Sequence, residues 1–121
     1  RACDGEFELF YLKASSYSSQ TNEKQNSIQF STLPDVKDRS VLLIDDICDT
    51  GRTLHTISEA LEDAGAREVK SVVLIHRILS KPIYQPSWSG FTHKGEEWFV
   101  GCGMEDRDRY AHLPDLYVIE S

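Results

Sequence analysis

The sequence predicts an α/β domain built on a parallel sheet, and three observations carry this prediction. A continuous apolar run, "SVLLIDD" at residues 40–46, is typical of a strand covered on both faces. From Thr53 the apolar spacing changes to that of an amphipathic helix. A second apolar run, "VKSVVLIH" at residues 69–76, follows directly. Strand, helix and strand in this order form a βαβ unit, which joins two parallel strands by a right-handed crossover.

Three segments precede the first apolar run. The alternating, aromatic-rich stretch "FELFYLK" at residues 7–13 predicts a strand that packs against the core. Residues 14–27 are almost wholly polar, which predicts a long flexible loop inside the domain. The stretch "IQFSTL" at residues 28–33 is a candidate short strand, so that the loop would be the tip of a flexible hairpin.

The helix is predicted from its spacing and its end signal. Leu54, Ile57 and Leu61 recur at i, i+3 and i+7, and they would form its buried face. Gly65 follows the last periodic residue, where a glycine commonly ends a helix.

Two further strand candidates lie nearer the C-terminus. They are "EWFVGCG" at residues 97–103 and "LYVIE" at residues 116–120, the second of which would close the sheet. The Pro- and aromatic-bearing stretch at 80–90 reads as a connection, and the charged stretch at 104–112 reads as a loop or short helix.

Length and charge limit the class of protein. A chain of 121 residues suits one domain, so we expect residues 1–121 to form a single domain. Acids outnumber bases 20 to 13, which argues against broad binding to nucleic acid or to an anionic membrane surface. No apolar run approaches the roughly 20 residues of a membrane span. Three cysteines without CxxC spacing favour the reducing cytoplasm, and histidines in separate segments argue against zinc.

An acidic turn follows the first predicted strand. Asp45, Asp46 and Asp49 lie where the strand would end, and residues 50–53 then lead into the helix. Ligands of open parallel sheets gather at this edge, and amides at a helix start favour phosphate. Gly51 permits close approach of a ligand to the backbone. Carboxylates beside such a turn can bind sugar hydroxyls or hydrated Mg²⁺, so the turn predicts a site for a phosphorylated sugar.

The run "VLLIDDICDTGRTL" at residues 41–54 resembles the phosphoribosyl diphosphate (PRPP) signature of type I phosphoribosyltransferases: four apolar residues, two acids, two variable positions, then D-T-G-x-T. Four further stretches are similar in order and spacing to the hypoxanthine-guanine enzymes: "KASSY", "VLIHR", "GF" and "EWFVGCGMEDRDRYAHLPDLYVI". The resemblance runs from Phe7 to Ile119. It implies the three-layer, parallel-sheet fold of the type I phosphoribosyltransferases.

The resemblance also implies roles in binding the sugar and the phosphate. Asp45 and Asp46 match the acidic pair that holds the ribose hydroxyls, in some states with Mg²⁺, and Glu105 takes the place of a further metal-binding aspartate. Asp49 matches the general base or proton carrier near purine N7. The matching 5′-phosphate loop consists of Asp49, Thr50, Gly51, Arg52 and Thr53.

Base and lid residues are implied in the same way. Trp98 falls where an aromatic ring stacks on the purine, and Phe99 contributes backbone contacts to the base edge. His76 stands where a purine-reading lysine is usual. Ser16 and Tyr17 match the pair of the flexible loop that covers the reacting centre, and Lys13 falls near the diphosphate.

The implied reaction transfers phosphoribosyl from PRPP to a purine base and releases diphosphate. Its partners are PRPP and a purine base or nucleotide, and its cofactor is Mg²⁺. The family commonly assembles as homo-oligomers, so we expect one here, in the cytoplasm.

Several departures from the family pattern leave alternatives open. His76 offers one neutral N–H where lysine offers a permanent cation, so another base, such as xanthine or a pyrimidine, is one alternative. Asp106 can replace Glu105 as the metal ligand. Ala111 replaces an arginine that contacts diphosphate, although Arg107 or Arg109 can substitute.

A missing unit is the largest departure. Family members carry, before the region matched here, a first βαβ unit with a glycine-containing diphosphate loop, and no residue of it occurs in this sequence. We therefore expect an N-terminally truncated version of the fold, with weak transfer by this chain alone. A non-catalytic nucleotide- or PRPP-binding regulatory protein is the second alternative.

Overall fold

The structure is a computed structural model that describes residues 6–17, 27–30, 32–104 and 109–119. Its elements in chain order are β1 (Ala14–Tyr17), β2 (Ser27–Phe30), β3 (Ser40–Cys48), α1 (Arg52–Asp63), β4 (Glu68–Arg77), β5 (Trp88–His93), β6 (Trp98–Val100) and β7 (Tyr117–Ile119). The chain divides into two compact units, Arg1–Val41 with Thr53–Val69, and Leu42–Arg52 with Lys70–Ser121. The single domain over residues 1–121 stays a prediction.

The first unit contains a hairpin that the sequence placed differently. Strands β1 and β2 pair antiparallel, with Ala14 opposite Phe30 and Tyr17 opposite Ser27. The predicted strand at 7–13 is wrong, because these residues pair with no described strand and most of their apolar side chains are exposed. Alternation alone supplies no partner for the backbone groups of a strand. The predicted loop at 14–27 is wrong at both ends, which are strands, and residues 18–26 lie outside the described residues.

Helix α1 confirms the spacing argument. Leu54, Ile57 and Leu61 are buried, as the helical period requires. Gly65 adopts a positive φ of 97°, and its amide donates to the Glu62 carbonyl at 3.0 Å. The chain therefore leaves the helix through the left-handed conformation that glycine accepts without steric cost.

The second unit holds the central sheet, whose strand order is β3-β4-β5. Strands β4 and β5 pair parallel, with Ile75 opposite Phe91. Because β3 and β4 are neighbours joined through α1, the predicted βαβ connection is confirmed. Ile75, Phe99 and Met104 form a buried apolar cluster in this unit.

Three expectations about the sheet are corrected. The stretch at 80–90 was expected to be a connection, but its last residues begin β5, which carries few apolar residues that could have marked it. Residues 116–120 do not close the central sheet, because β7 pairs antiparallel with β6 in a separate two-stranded sheet. Strand β3 is not covered on both faces, since Leu42 and Ile44 are exposed while their neighbours along the strand are half-buried.

Residues 109–112 form a bridge and turn rather than a helix, while residues 105–108 lie outside the described residues. In the described part of the chain, no helix has the length and apolar character that crossing a membrane requires.

The apolar cluster should dominate the stability of the second unit. Ile75→Ala should lower the free energy of unfolding by about 2–5 kcal/mol, because it removes buried methyl groups and leaves a cavity. Ile75 is 1% exposed, whereas Ile44 on the neighbouring strand is 73% exposed, so Ile44→Ala is the matched control. We expect a change within about 0.5 kcal/mol for the control in urea denaturation. Equal losses for the two variants would contradict this account of the core.

Candidate active site

The turn between β3 and α1 is held by its own residues and by a distant segment. The Arg52 amide donates to the Thr50 hydroxyl at 3.3 Å, which caps the start of the helix. The Thr50 carbonyl accepts from the amides of Ile83 and Tyr84, at 2.9 and 3.3 Å. The main chain of the turn is thus fixed before any ligand arrives, and the first amides of α1 have no partners within the helix.

Gly51 allows the turn to lie directly against Tyr84. Its φ is +82°, and a Cβ added there would come within 2.6 Å of the Tyr84 Cβ and 2.7 Å of the Tyr84 carbonyl oxygen. The Tyr84 hydroxyl in turn lies 2.7 Å from the Oγ of Ser71, which is fully buried. Gly51 is therefore required by its surroundings as well as by its backbone conformation. Tyr84 lies between two prolines in a stretch that gave no sequence signal of this role.

The acidic pair occupies opposite faces at the end of β3. Asp45 is half-buried and Asp46 is exposed, as expected for consecutive strand residues. The Asp46 amide donates to Asp45 Oδ1 at 2.8 Å, and the Ile47 amide donates to Asp46 Oδ1 at 2.7 Å. Burial raises the pKa of Asp45 to about 6, helped by the neighbouring Asp46 carboxyl, although the Asp46 amide opposes the shift. The two carboxyls thus experience different environments.

Asp49 is paired with a buried cation that sequence reasoning did not assign. Its carboxylate accepts from the Nε of Arg77, whose side chain is 8% exposed whereas that of Asp49 is 51% exposed. The remaining guanidinium nitrogens donate to the Gly95 carbonyl and, at 2.9 Å, to the Glu97 carbonyl. Arg77 ends β4, and its position after a long apolar strand is the signal that could have indicated a buried role.

The predicted base-binding residues lie close together in sequence but in different environments. Trp98 is 56% exposed, whereas Phe99 is buried in the apolar cluster with Ile75 and Met104. The Phe99 ring is therefore committed to the core, and the Phe99 main chain lies in β6, opposite Val118 of β7. His76 is buried and precedes Arg77 on β4, so the two side chains leave the strand on opposite faces. Arg77, not His76, reaches Asp49.

The remaining predicted site residues come from residues 13–17 and 105–111. Lys13 is exposed, and Ser16 and Tyr17 belong to β1. The Ala111 carbonyl accepts from the Gly103 amide at 2.9 Å, and the Arg109 guanidinium lies 5.5 Å from the Tyr110 ring centroid. Outside the described residues lie Glu105, Asp106 and Arg107. The roles of all the predicted site residues stay predictions.

The carboxyls at the end of β3 are candidate ligands for Mg²⁺. Mg²⁺ in phosphate-transfer sites is held by one or two carboxylates, by substrate phosphates and by water, rather than by a cage of protein ligands. Asp45 and Asp46 are oxygen donors of this kind, and their opposite faces do not favour chelation of one ion by both. No group of three metal-binding side chains occurs among the described residues. Either carboxylate therefore fits a Mg²⁺ ion that binds together with a phosphorylated substrate.

The sheet and the turn at its edge are typical of α/β proteins that bind phosphorylated ligands. The sequence model of the phosphoribosyl transferase domain matches residues 6–107, and the chain belongs to this family. The hypoxanthine-guanine phosphoribosyltransferase of Lactococcus lactis is 40% identical over 86 residues, which cover 70% of this chain and 46% of that protein. The Streptococcus pneumoniae protein of the same name is 29% identical over 124 residues, covering 97% of this chain and 66% of that protein.

The structure is also similar to a solved one. A crystal structure of a hypoxanthine phosphoribosyltransferase from Staphylococcus aureus superposes with a TM-score of 0.77 and 25% identity, over 90% of this chain and 60% of that chain. The predicted type I phosphoribosyltransferase fold is thereby confirmed. The chain spans 46% to 66% of the length of these three relatives.

The contact between Gly51 and Tyr84 should make Gly51 more sensitive than other left-handed glycines. Gly51→Ala should lower the free energy of unfolding by about 3 kcal/mol, from backbone strain plus overpacking. Gly103 is the matched control, because its φ is +92° and nothing lies within 4 Å of an added Cβ. We expect about 1 kcal/mol for Gly103→Ala in urea denaturation. A loss at Gly103 as large as at Gly51 would contradict the contact with Tyr84.

The raised pKa of Asp45 predicts a pH-dependent cost to stability. The pKa in the folded protein is about 6 and the ordinary value is 3.8, so between these pH values the folded protein binds the proton more strongly. The free energy of unfolding should therefore fall as the pH rises from about 4 to about 6. With EDTA present, Asp45→Asn should be more stable than the parent chain by about 1–2 kcal/mol at pH 7, after allowance for solvent screening.

That gain should shrink as the pH falls below about 6 and vanish below about pH 3, where Asp45 is protonated in both the folded and the unfolded states. Urea denaturation at each pH measures it, and a carboxyl ¹³C NMR titration measures the pKa of Asp45 directly. A stabilisation independent of pH would contradict the environment described for this carboxyl.

Proposed function

We propose that this chain carries the phosphoribosyl- and purine-binding part of a purine phosphoribosyltransferase. The reaction would join a nitrogen of hypoxanthine or guanine to C1 of PRPP while the bond from C1 to the diphosphate oxygen breaks. Its electron pair leaves with diphosphate, and the product is IMP or GMP. The observation that carries the proposal is the complete PRPP signature at residues 41–53, folded as a strand-to-helix turn in a member of this family.

The turn is proposed to bind the 5′-phosphate. Main-chain amides at the start of α1 and the hydroxyls of Thr50 and Thr53 would donate to its oxygens, and the helix dipole favours the negative charge. The approach of the Ile83 and Tyr84 amides to the Thr50 carbonyl supports this assignment. Those bonds hold the loop in place without occupying the amides at the helix start.

The acids are proposed to divide the work on the sugar and the base. Asp45 and Asp46 would hold the ribose hydroxyls, and Asp49 would accept the proton that the purine loses as its nitrogen bonds to C1. The ribose acquires positive charge as diphosphate departs, and nearby carboxylates stabilise that charge. Acids that repel one another in the free protein would therefore be compensated in the reacting complex.

The base is proposed to lie beside Trp98. Its exposed ring would stack on the purine, and the Phe99 main chain and His76 would contact the base edge. Ser16 and Tyr17 would cover the site, which excludes water from the reacting centre. One carboxylate of the Asp45 and Asp46 pair, together with Glu105, would hold Mg²⁺, which when bound neutralises charge on the diphosphate. The proposal includes a homo-oligomer in the cytoplasm, as the family resemblance implies.

A second candidate is a protein that binds nucleotide or PRPP without transferring it. Ala111, in place of an arginine expected at the diphosphate, favours this candidate, and its carbonyl is engaged by Gly103. His76 in place of the purine-reading lysine keeps transfer to another base as a further alternative.

Nucleotide binding tests the proposal directly. IMP or GMP at about 100 times its Kd should raise the Tm of this chain by roughly 10 °C, because ligand binding to the folded state adds about 2.7 kcal/mol. The double variant Gly51→Val with Thr53→Ala should lose this shift relative to its own unliganded Tm. UMP serves as the pyrimidine comparator for base preference.

A matched control separates the phosphate turn from general damage. Gly103→Val with Thr56→Ala changes the same residue types, at an open left-handed glycine and within the body of α1. It should keep the full nucleotide shift. A shift that survives in the Gly51 and Thr53 variant would remove the phosphate assignment, and a parent chain that no nucleotide stabilises would overturn the proposed function.

A further inference from the structure

Arg77 is a buried cation with no role in the functions assigned so far. It is 7% exposed as a residue and stands at the last position of β4. Each of its three guanidinium nitrogens donates a hydrogen bond, to Asp49, to the Gly95 carbonyl and to the Glu97 carbonyl. A buried charge without partners is strongly unfavourable, so the folded chain keeps these three acceptors against Arg77. Arg77 in turn fixes the positions of the acceptors.

The partners of Arg77 belong to two different parts of the site. Asp49 opens the phosphate turn, whereas Gly95 and Glu97 lead directly into β6, where Trp98 and Phe99 lie. The guanidinium also sits 5.5 Å from the Phe99 ring centroid, within the range of a cation–π contact. One side chain therefore touches both the carboxylate proposed to take the proton and the segment proposed to hold the base.

A second set of contacts, made by His93, holds the same segment at residues 95–99. His93, which pairs with Arg77 across β4 and β5, places its Nε2 2.7 Å from Glu97 Oε2. Its ring meets the Phe99 ring edge-on, with centroids 4.9 Å apart. This hydrogen bond lowers the pKa of Glu97. The segment at residues 95–99 is thus fixed in two ways. His93 holds the Glu97 side chain, and Arg77 holds the main-chain carbonyls of Gly95 and Glu97.

We propose that Arg77 is a positioning residue, which sets the Asp49 carboxylate and the base-binding segment 95–99 at a fixed distance from each other. This inference rests on the proposed function of the site. Asp49 is half-exposed, so without Arg77 its carboxylate would be free to take other rotamers. An arginine is required because its planar fork directs separate donors at three acceptors, whereas a lysine offers a single charged nitrogen.

The positioning role of Arg77 predicts different effects on the affinities for two ligands. IMP would use both the phosphate turn and the base segment, whereas ribose 5-phosphate would use the phosphate turn and the ribose carboxylates alone. In isothermal titration calorimetry with this chain, Arg77→Met should weaken IMP binding about 10-fold or more, as expected for loss of a charge-assisted alignment. Ribose 5-phosphate binding should stay within about 2-fold of the parent chain. Arg39→Met, which removes an exposed arginine paired with Glu8, is the control and should change neither affinity.

A conservative variant keeps the test valid if Arg77→Met does not fold. Arg77→Lys retains the charge, and it should weaken IMP binding by an amount between those of the parent and the methionine variant, again without effect on ribose 5-phosphate. In an Asp49→Asn background, the IMP loss caused by Arg77→Lys should shrink, because the carboxylate that Arg77 orients is absent.

The possible outcomes distinguish the positioning role of Arg77 from the proposed function on which that role rests. Failure of both ligands to bind the parent chain would overturn the proposed function. Binding of both by the parent chain, with full IMP affinity kept in the Arg77 variants, would overturn the positioning role alone. An equal loss for the two ligands would assign Arg77 to the stability of the unit, and would also overturn the positioning role.

Discussion

The burial of one guanidinium is the constraint on which the functional part of this structure depends. Arg77 leaves water at the end of β4, and its desolvation is compensated only if a carboxylate and two carbonyls are held against it. Those groups come from the acidic turn and from the segment before β6. The arrangement also explains part of the acidic cluster: Asp49 is paired with Arg77, Asp46 is exposed to water, and burial raises the pKa of Asp45.

A second constraint acts on the same turn. Gly51 lies against Tyr84, which is anchored through its hydroxyl to the buried Ser71. The main chain of the turn is therefore held at the Thr50 carbonyl by the segment at residues 83–84, whereas Arg77 holds the side chain of Asp49 alone. A loop fixed in this way loses little conformational entropy when it binds phosphate, which is the physical advantage of a preorganised site.

Local sequence patterns correctly predicted the features that depend on residues close together in the chain. The apolar run of β3, the 3.6-residue period of α1 and the glycine that ends it were correct, because each depends on neighbours in sequence. The strand at 7–13 was wrong, because pairing needs a partner strand that alternation does not specify. Arg77 and Tyr84 were missed for a related reason: their roles arise from contacts across 28 and 13 residues, to Asp49 and to Ser71. The acidic turn was found through its motif, while its bracing depends on tertiary contacts.

In the proposed arrangement, amides at the start of α1 bind a phosphate while Arg77 holds Asp49 toward the base of the same ligand. A crystal structure of this chain with IMP tests it most directly. We expect phosphate density at residues 50–53, the purine beside Trp98, and the ion pair of Arg77 and Asp49 intact next to the base. Phosphate density bound at any other place on the chain would contradict it.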